Sequence, residues 1–149
     1  MIARAVAKLL DAQITGLTFT SDGQSGGNIF VGWMPDSPDR CVAVMPGAPL
    51  PQLSKLPTDI PTVQLIVRDG VGQYAAAHDL AEACRSAVDC LPAQVLDPAG
   101  PDEVVIIGAT ADQSGPIDMG RDQKDRPEFS VNTTWRTHHP STHRPAVPA

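Results

Sequence analysis

Between Thr62 and Arg68 the apolar residues Val63, Leu65 and Val67 fall on every second position, with Gln64 and Arg68 on the alternate set. Successive side chains on a strand point to opposite faces, so this pattern predicts a strand with one face on a core. Asp69-Gly70 breaks it. Tyr74, Ala77, Leu80, Cys84, Ala87, Val88 and Leu91 then recur at helical spacing, and His78, Asp79, Glu82, Arg85, Ser86 and Asp89 fall opposite. The spacing predicts an amphipathic helix from about Tyr74 to Leu91, stopped by Pro92. Arg85 stands three residues after Glu82 and four before Asp89, the spacings at which ion pairs form along a helix.

The same patterns organise the rest of the chain. Ile2, Val6, Leu9 and Leu10 define one face of a short N-terminal helix, with Arg4, Lys8 and Asp11 facing away. Gly16–Thr20 is compatible with a short strand, and 21–28 is a Gly/Ser/Asp turn region. Ile29–Trp33 and Cys41–Met45 read as strands joined by a turn with two prolines, which predicts a loose antiparallel hairpin. Residues 46–61 hold five prolines in sixteen positions, excluding a regular helix or an inner strand. Yet this arm carries Leu50, Leu53, Leu56 and Ile60. Two readings stay open for it: a loop pinned to its own domain, or a surface arm that docks on a neighbouring subunit.

The last third is β-rich. Val104-Val105-Ile106-Ile107 is apolar on both faces and predicts a central strand within 103–110. Ser114–Met119 reads as a weaker strand and Gly120–Arg126 as a charged turn. Pro127–Thr137 reads as a strand in which Phe129, Val131, Thr133 and Trp135 share one face. From His138 on almost nothing is available to bury, so 138–149 is expected to be a disordered Pro/His-rich tail. The expected architecture is a single α+β domain over 1–137. Its mixed, mostly antiparallel sheet packs against the N-terminal helix and the second amphipathic helix.

Composition changes this picture mainly by exclusion. The net charge is −6 and the eleven basic residues are scattered, which argues against direct duplex binding and anionic membranes. Aromatics make up only 4%, so the core rests on Val, Ile, Leu and Ala. The N-terminal apolar run is interrupted by Arg4 and Lys8, so it reads as neither signal peptide nor span. Cys41, Cys84 and Cys90 are an odd set without a Cys-x-x-Cys. Cys84 and Cys90 stand about 9 Å apart along the helix on different faces and cannot pair. A reducing compartment is the simpler setting.

No arrangement points to catalysis. The three glycines of 21–28 lack both the P-loop and the dinucleotide pattern and run into a strand. His138, His139 and His143 are close in sequence, but no Cys, Asp or Glu accompanies them as a metal frame. His78 lies on the polar helix face and Cys84 on the apolar one, so they point apart, and Cys84 reads as a small core residue. The helix carboxylates read as a solvated face. Trp33 and Trp135 read as core residues, with an interface anchor as the alternative. The chain is therefore not expected to be an enzyme and is expected to need no cofactor and no metal.

The order of elements, and three stretches within it, resemble a known family. The stretches are Ile29-Phe30-Val31-Gly32-Trp33-Met34-Pro35, the strand from Pro61 to Arg68, and Gly120-Arg121-Asp122 followed by Arg126-Pro127-Glu128-Phe129-Ser130-Val131-Asn132. Over roughly residues 1–137 the chain resembles the tail terminator proteins of long-tailed bacteriophages, also described as minor capsid or minor tail proteins. The resemblance implies a structural virion protein that forms a hexameric ring on the end of the tail tube. Such a ring stops tube polymerisation and offers a surface to the head-completion, or connector, proteins. It also implies a place at the neck or tail end after assembly in the host bacterial cytoplasm, no membrane, and DNA passing through the lumen without specific binding. A negative lumen repels DNA rather than holding it, which suits the acidic composition.

A ring needs two unlike patches on each subunit. The sequence nominates the aliphatic arm, with Leu50, Leu53 and Leu56, the strand-end Arg68, and the charged turn, with Arg121, Asp122, Lys124 and Arg126. The competing readings are another neck connector of similar size, a small non-catalytic ligand-binding α/β domain, and a small hydrolase with a site invisible in one sequence.

Overall fold

The structure is a computed structural model in which residues 1–20, 26–51 and 57–140 are described. The chain runs α1 (Ile2–Gln13), β1 (Ile29–Val31), β2 (Cys41–Pro46), β3 (Thr58–Asp59), β4 (Thr62–Arg68), α2 (Tyr74–Val88), β5 (Gln94–Leu96), β6 (Val104–Ala111), β7 (Ile117–Arg121) and β8 (Pro127–His138). The strands form one sheet in the order β1-β2-β4-β8-β6-β5, with β3 and β7 also paired to β8. Every pairing is antiparallel except β1 with β2. This is the expected α+β architecture.

The long strand β8 is the spine. Its 12 residues pair with β4 and β3 along one edge and with β7 and β6 along the other. Its alternation fits that place: Phe129, Val131, Thr133 and Trp135 are all buried. Opposite them in register stand Val67, Leu65 and Val63 of β4, so the two strands present one continuous apolar face. Both helices cover that face. Val6 and Leu10 of α1 and Leu80, Cys84 and Val88 of α2 join Val44, Leu65, Val131 and Trp135 in one core. The Trp135 indole N–H donates to Thr133 Oγ1 at 2.9 Å, and the Thr133 hydroxyl donates to the Val63 carbonyl at 2.7 Å. Among the described residues no buried side-chain nitrogen or oxygen lacks a hydrogen-bond partner, as burial requires.

Five expectations are corrected. The 29–45 segment is not an antiparallel hairpin: β1 pairs with β2 in parallel, Ile29 opposite Val42. The turn between them is long enough to carry the chain back, and it folds over the outer face, where Arg68 grips its carbonyls. Residues 16–20 form no strand, although the Thr18 carbonyl accepts from Asn28 and Ile29. Val104–Ile107 does lie between two strands, but helices cover only one face, so Val105 and Ile107 are exposed. Helix α2 ends at Val88, and Leu91 bridges to Ala109 instead of continuing it. Trp135 is fully buried, whereas Trp33 is exposed and stands edge-on to Phe30.

Among the described residues no helix is long and apolar enough to cross a membrane. Strand β8 runs to His138, and the His139 N–H donates to the Pro57 carbonyl.

Candidate functional site

The charged turn lies at the start of β8, and it is a knot rather than a loose tip. Arg126 is only 5% exposed. Its Nε donates to Asp122 Oδ2 at 2.7 Å and its Nη1 to the Asp36 carbonyl at 2.6 Å. The same group reaches Asp39 Oδ1 at 3.0 Å and Asp36 Oδ1 at 3.1 Å. Burial works against the charge, but the carboxylates of Asp39, Asp122 and Asp36 outweigh it and raise the Arg126 pKa. Asp122 accepts backbone N–H groups from Lys124 and Arg126, closing the turn on itself. Burial opposes its ionisation too, yet Arg126 and these N–H groups hold it below the usual carboxylate range. Lys124 reaches Asp36 at 2.6 Å and lowers its pKa. Beside the knot, Arg68 is buried under the carbonyls of Asp36, Pro38 and Asp39.

Strand β7 extends from this knot. All five of its residues are exposed, including Ile117 and Met119, and its pairing is to β8. A bulge between Asp118 and Gly120 breaks its register with β8. Asp118 accepts from the Gly120 N–H and from the Tyr74 hydroxyl at 2.8 Å, which in that order lower its pKa. Val71, Gly72, Tyr74, Arg121, Asp125 and Pro127 line a shallow hollow of about 180 Å³ alongside.

The far end of β8 carries a different surface. The arm leaves β2 and returns antiparallel to itself: the Gly47 N–H donates to Thr62 O and the Leu50 N–H to Ile60 O. Strand β3 then pairs with the end of β8, Thr58 opposite His138. Between the arm, the start of α1 and the start of β6 lies an open cleft of about 560 Å³. Its walls are largely apolar, with Ile2, Leu50, Ile60, Val104 and Val105, and Glu103 and Asp59 are its acidic members. A second ionic cluster fixes the α1 wall. Lys8 reaches Asp97 at 2.7 Å and Asp102 at 3.0 Å, and Arg4 reaches Asp102 at 3.2 Å.

A family model described as bacteriophage tail terminator protein matches residues 13–137. The chain belongs to the bacteriophage tail terminator family. It is a structural phage tail protein and a virion component that associates with other tail parts. No curated protein matches the chain. The matched span takes in the arm, β7 and the charged turn of the terminator, with all of the sheet except the last residue of β8.

The nominated residues divide unevenly over this terminator fold. Leu50 sits at the cleft, half exposed on the arm. Leu53 and Leu56 lie outside the described residues. Arg68, Asp122 and Arg126 have their polar groups engaged within the subunit, and Lys124 is tied to Asp36. Arg121 is exposed and makes no ion pair among the described residues. Ile117, Met119, Val105 and the cleft were not nominated from the sequence. Apolar residues inside strand patterns read as core until it is known which face the helices cover. Cys84 is buried, which pushes its thiol up to about 12, and His78 stands edge-on to Phe129.

Proposed function

We propose that the chain caps the tail tube as a homohexameric ring, stops tube polymerisation there and presents its outer surface to the head-completion proteins. The family match over residues 13–137 is the observation that carries this reading. Two features of the fold support it. Exposed apolar side chains stand at both ends of β8, around β7 and around the cleft, and these two surfaces are unlike. Unlike patches on one subunit favour head-to-tail contacts, which close into a ring when the rotation permits. The net charge of −6 supports a lumen that lets DNA pass without binding it. On this reading the protein is not an enzyme and works without cofactor or metal. Of the nominated contacts, Leu50 and Arg121 face partners, while Arg68, Asp122, Lys124 and Arg126 hold the surfaces in shape. Assembly takes place in the host bacterial cytoplasm.

The test is tube growth in vitro. Purified tail tube protein is polymerised with increasing amounts of the chain, and tube length and end structure are read by negative-stain microscopy. The expected result is shorter tubes of narrower length distribution, with a ring at one end. Tubes of unchanged length with bare ends at saturating protein would overturn the proposal.

A further inference from the structure

The β7 strand poses a problem that the isolated subunit does not solve. A strand at a sheet margin with exposed apolar side chains invites pairing or aggregation unless something covers it. Ile117 is 40% exposed and Met119 49% exposed, and β7 pairs on one side with β8. At the other end of the molecule lies a concave, largely apolar cleft of about 560 Å³. Clefts of roughly 300–1,000 Å³ are large enough to enclose most of a drug-sized group. Strand β7 pairs with Pro127–Ser130 of β8 and the cleft lies at Thr137 and His138, so the two features are separated by roughly 23–37 Å of strand. One chain therefore cannot fill its own cleft with its own β7, whereas two copies arranged head to tail can.

Charge selects the same pairing. The other cations of the turn are spent within the subunit, Lys124 on Asp36 and Arg126 on Asp36, Asp39 and Asp122. Arg121 alone among them makes no ion pair within the described residues. At the cleft, the exposed Glu103 accepts the Ala99 N–H and has no cation among the described residues. An exposed cation thus ends the exposed strand, and an exposed anion lines the cleft. The Arg126 knot holds the β7–β8 turn in one geometry before any contact is made, which lowers the ordering cost of docking.

We infer that β7 of one copy seats in the cleft of the next, Ile117 and Met119 entering between Leu50 and Val105 while Arg121 pairs with Glu103. This contact rests on the ring reading above and names the subunit interface within it. Rim charges chiefly set partner choice and register, so the Arg121–Glu103 pair fixes which way round the copies join.

Two experiments test the contact, both on the full chain by sedimentation velocity over a concentration series and by ring counts on tube ends. In the first, Arg121→Glu and Glu103→Arg are each expected to weaken self-association about tenfold, and the double swap to restore most of it. In the second, Met119→Asp blocks the exposed strand and Leu50→Asp blocks the cleft. Each variant alone is expected to remain monomeric, and an equimolar mixture to form a dimer and nothing larger, since one competent interface survives. All four residues are exposed, and circular dichroism melts confirm that each variant folds. Wild type that assembles while the swaps leave it unchanged, or a double swap no better than the singles, overturns the contact and leaves the ring standing. Wild type that assembles neither alone nor on tubes removes the ring reading and the contact with it.

Discussion

Replacing Arg126 by Met probes what holds the β7–β8 turn in place. The change deletes contacts to Asp122 Oδ2 at 2.7 Å, the Asp36 carbonyl at 2.6 Å, Asp39 Oδ1 at 3.0 Å and Asp36 Oδ1 at 3.1 Å. Removing one partner of a buried ion pair costs about 3–5 kcal/mol when the other charge is stranded. Here the Asp36 and Asp39 side chains are 67% and 65% exposed and regain water. Asp122, at 17%, and the Asp36 carbonyl are the groups left short. The expected loss is therefore about 2–3 kcal/mol. For a chain of this size that lowers Tm by roughly 4–12 °C. Urea and thermal unfolding followed by circular dichroism measure it. Arg126→Lys keeps the charge but not the planar fork, so it is expected to recover less than half. Because Asp122 and Arg126 act together, Asp122→Asn adds little in the Arg126→Met background. Hydrogen exchange is expected to speed up at 36–39 and 122–126 and to stay slow in β4. A loss below about 0.5 kcal/mol, the range of ordinary surface substitutions, would refute the claim that the turn is held by this cation.

Four further outcomes follow from particular contacts. Thr133→Val strips the hydroxyl that serves both Trp135 and the Val63 carbonyl, and urea unfolding is expected to show a loss of about 1–3 kcal/mol; an unchanged midpoint would mean that the indole finds another partner. A Cβ at Gly47 would collide with Thr62 Oγ1, whose hydroxyl donates to the Ala48 carbonyl at the root of the arm. Gly47→Ala is accordingly expected to speed hydrogen exchange at 47–50 and 60–62 and to weaken self-association, and unaltered exchange there would count against a pinned arm. The third outcome concerns pH. Asp36 is held low by Lys124, Asp97 by Lys8, and Asp118 by the Gly120 N–H and Tyr74; at Asp102, burial is outweighed by Lys8 and Arg4. A folded pKa below the unfolded value of about 3.9 means stability that is complete above that pH and lost as pH falls through the lowered values. Urea midpoints are expected to drop steeply below about pH 4, less steeply in the Arg126→Met variant. Glu128 runs the other way: burial, then Asp122, raise its pKa, so its contribution is present below about 4.3 and lost as pH rises through the folded value. Glu128→Gln is expected to leave neutral-pH stability unchanged or raise it by up to about 1 kcal/mol, and a clear loss would show that its pairing with Arg68 dominates.

Local pattern by itself determined the longer elements of this protein, though not the short strands β3 and β5. Period-2 alternation placed β4 and β8 within a residue of their ends, and helical spacing found α1 and α2 with the Arg85–Glu82 and Arg85–Asp89 pairs. These are short-range properties, written in residues that neighbour one another along the chain. The order of elements and three strand sequences also pointed to the family that the match over 13–137 shows. What the sequence did not determine is which strands are neighbours and which faces stay bare. The β1–β2 pairing turned out parallel, and Arg68 and Arg126, far along the chain, hold the connecting loop by its carbonyls. Arg68 and Arg126 looked like surface charge and are buried, since, Asp122 apart, the carbonyls and carboxylates that satisfy them lie about 30 and 90 residues away. Val105 and Ile107 looked like core and are exposed, since both helices pack on one side of the sheet. Only tertiary packing could decide those faces, because an apolar side chain carries no record of whether its cover comes from its own chain or from another.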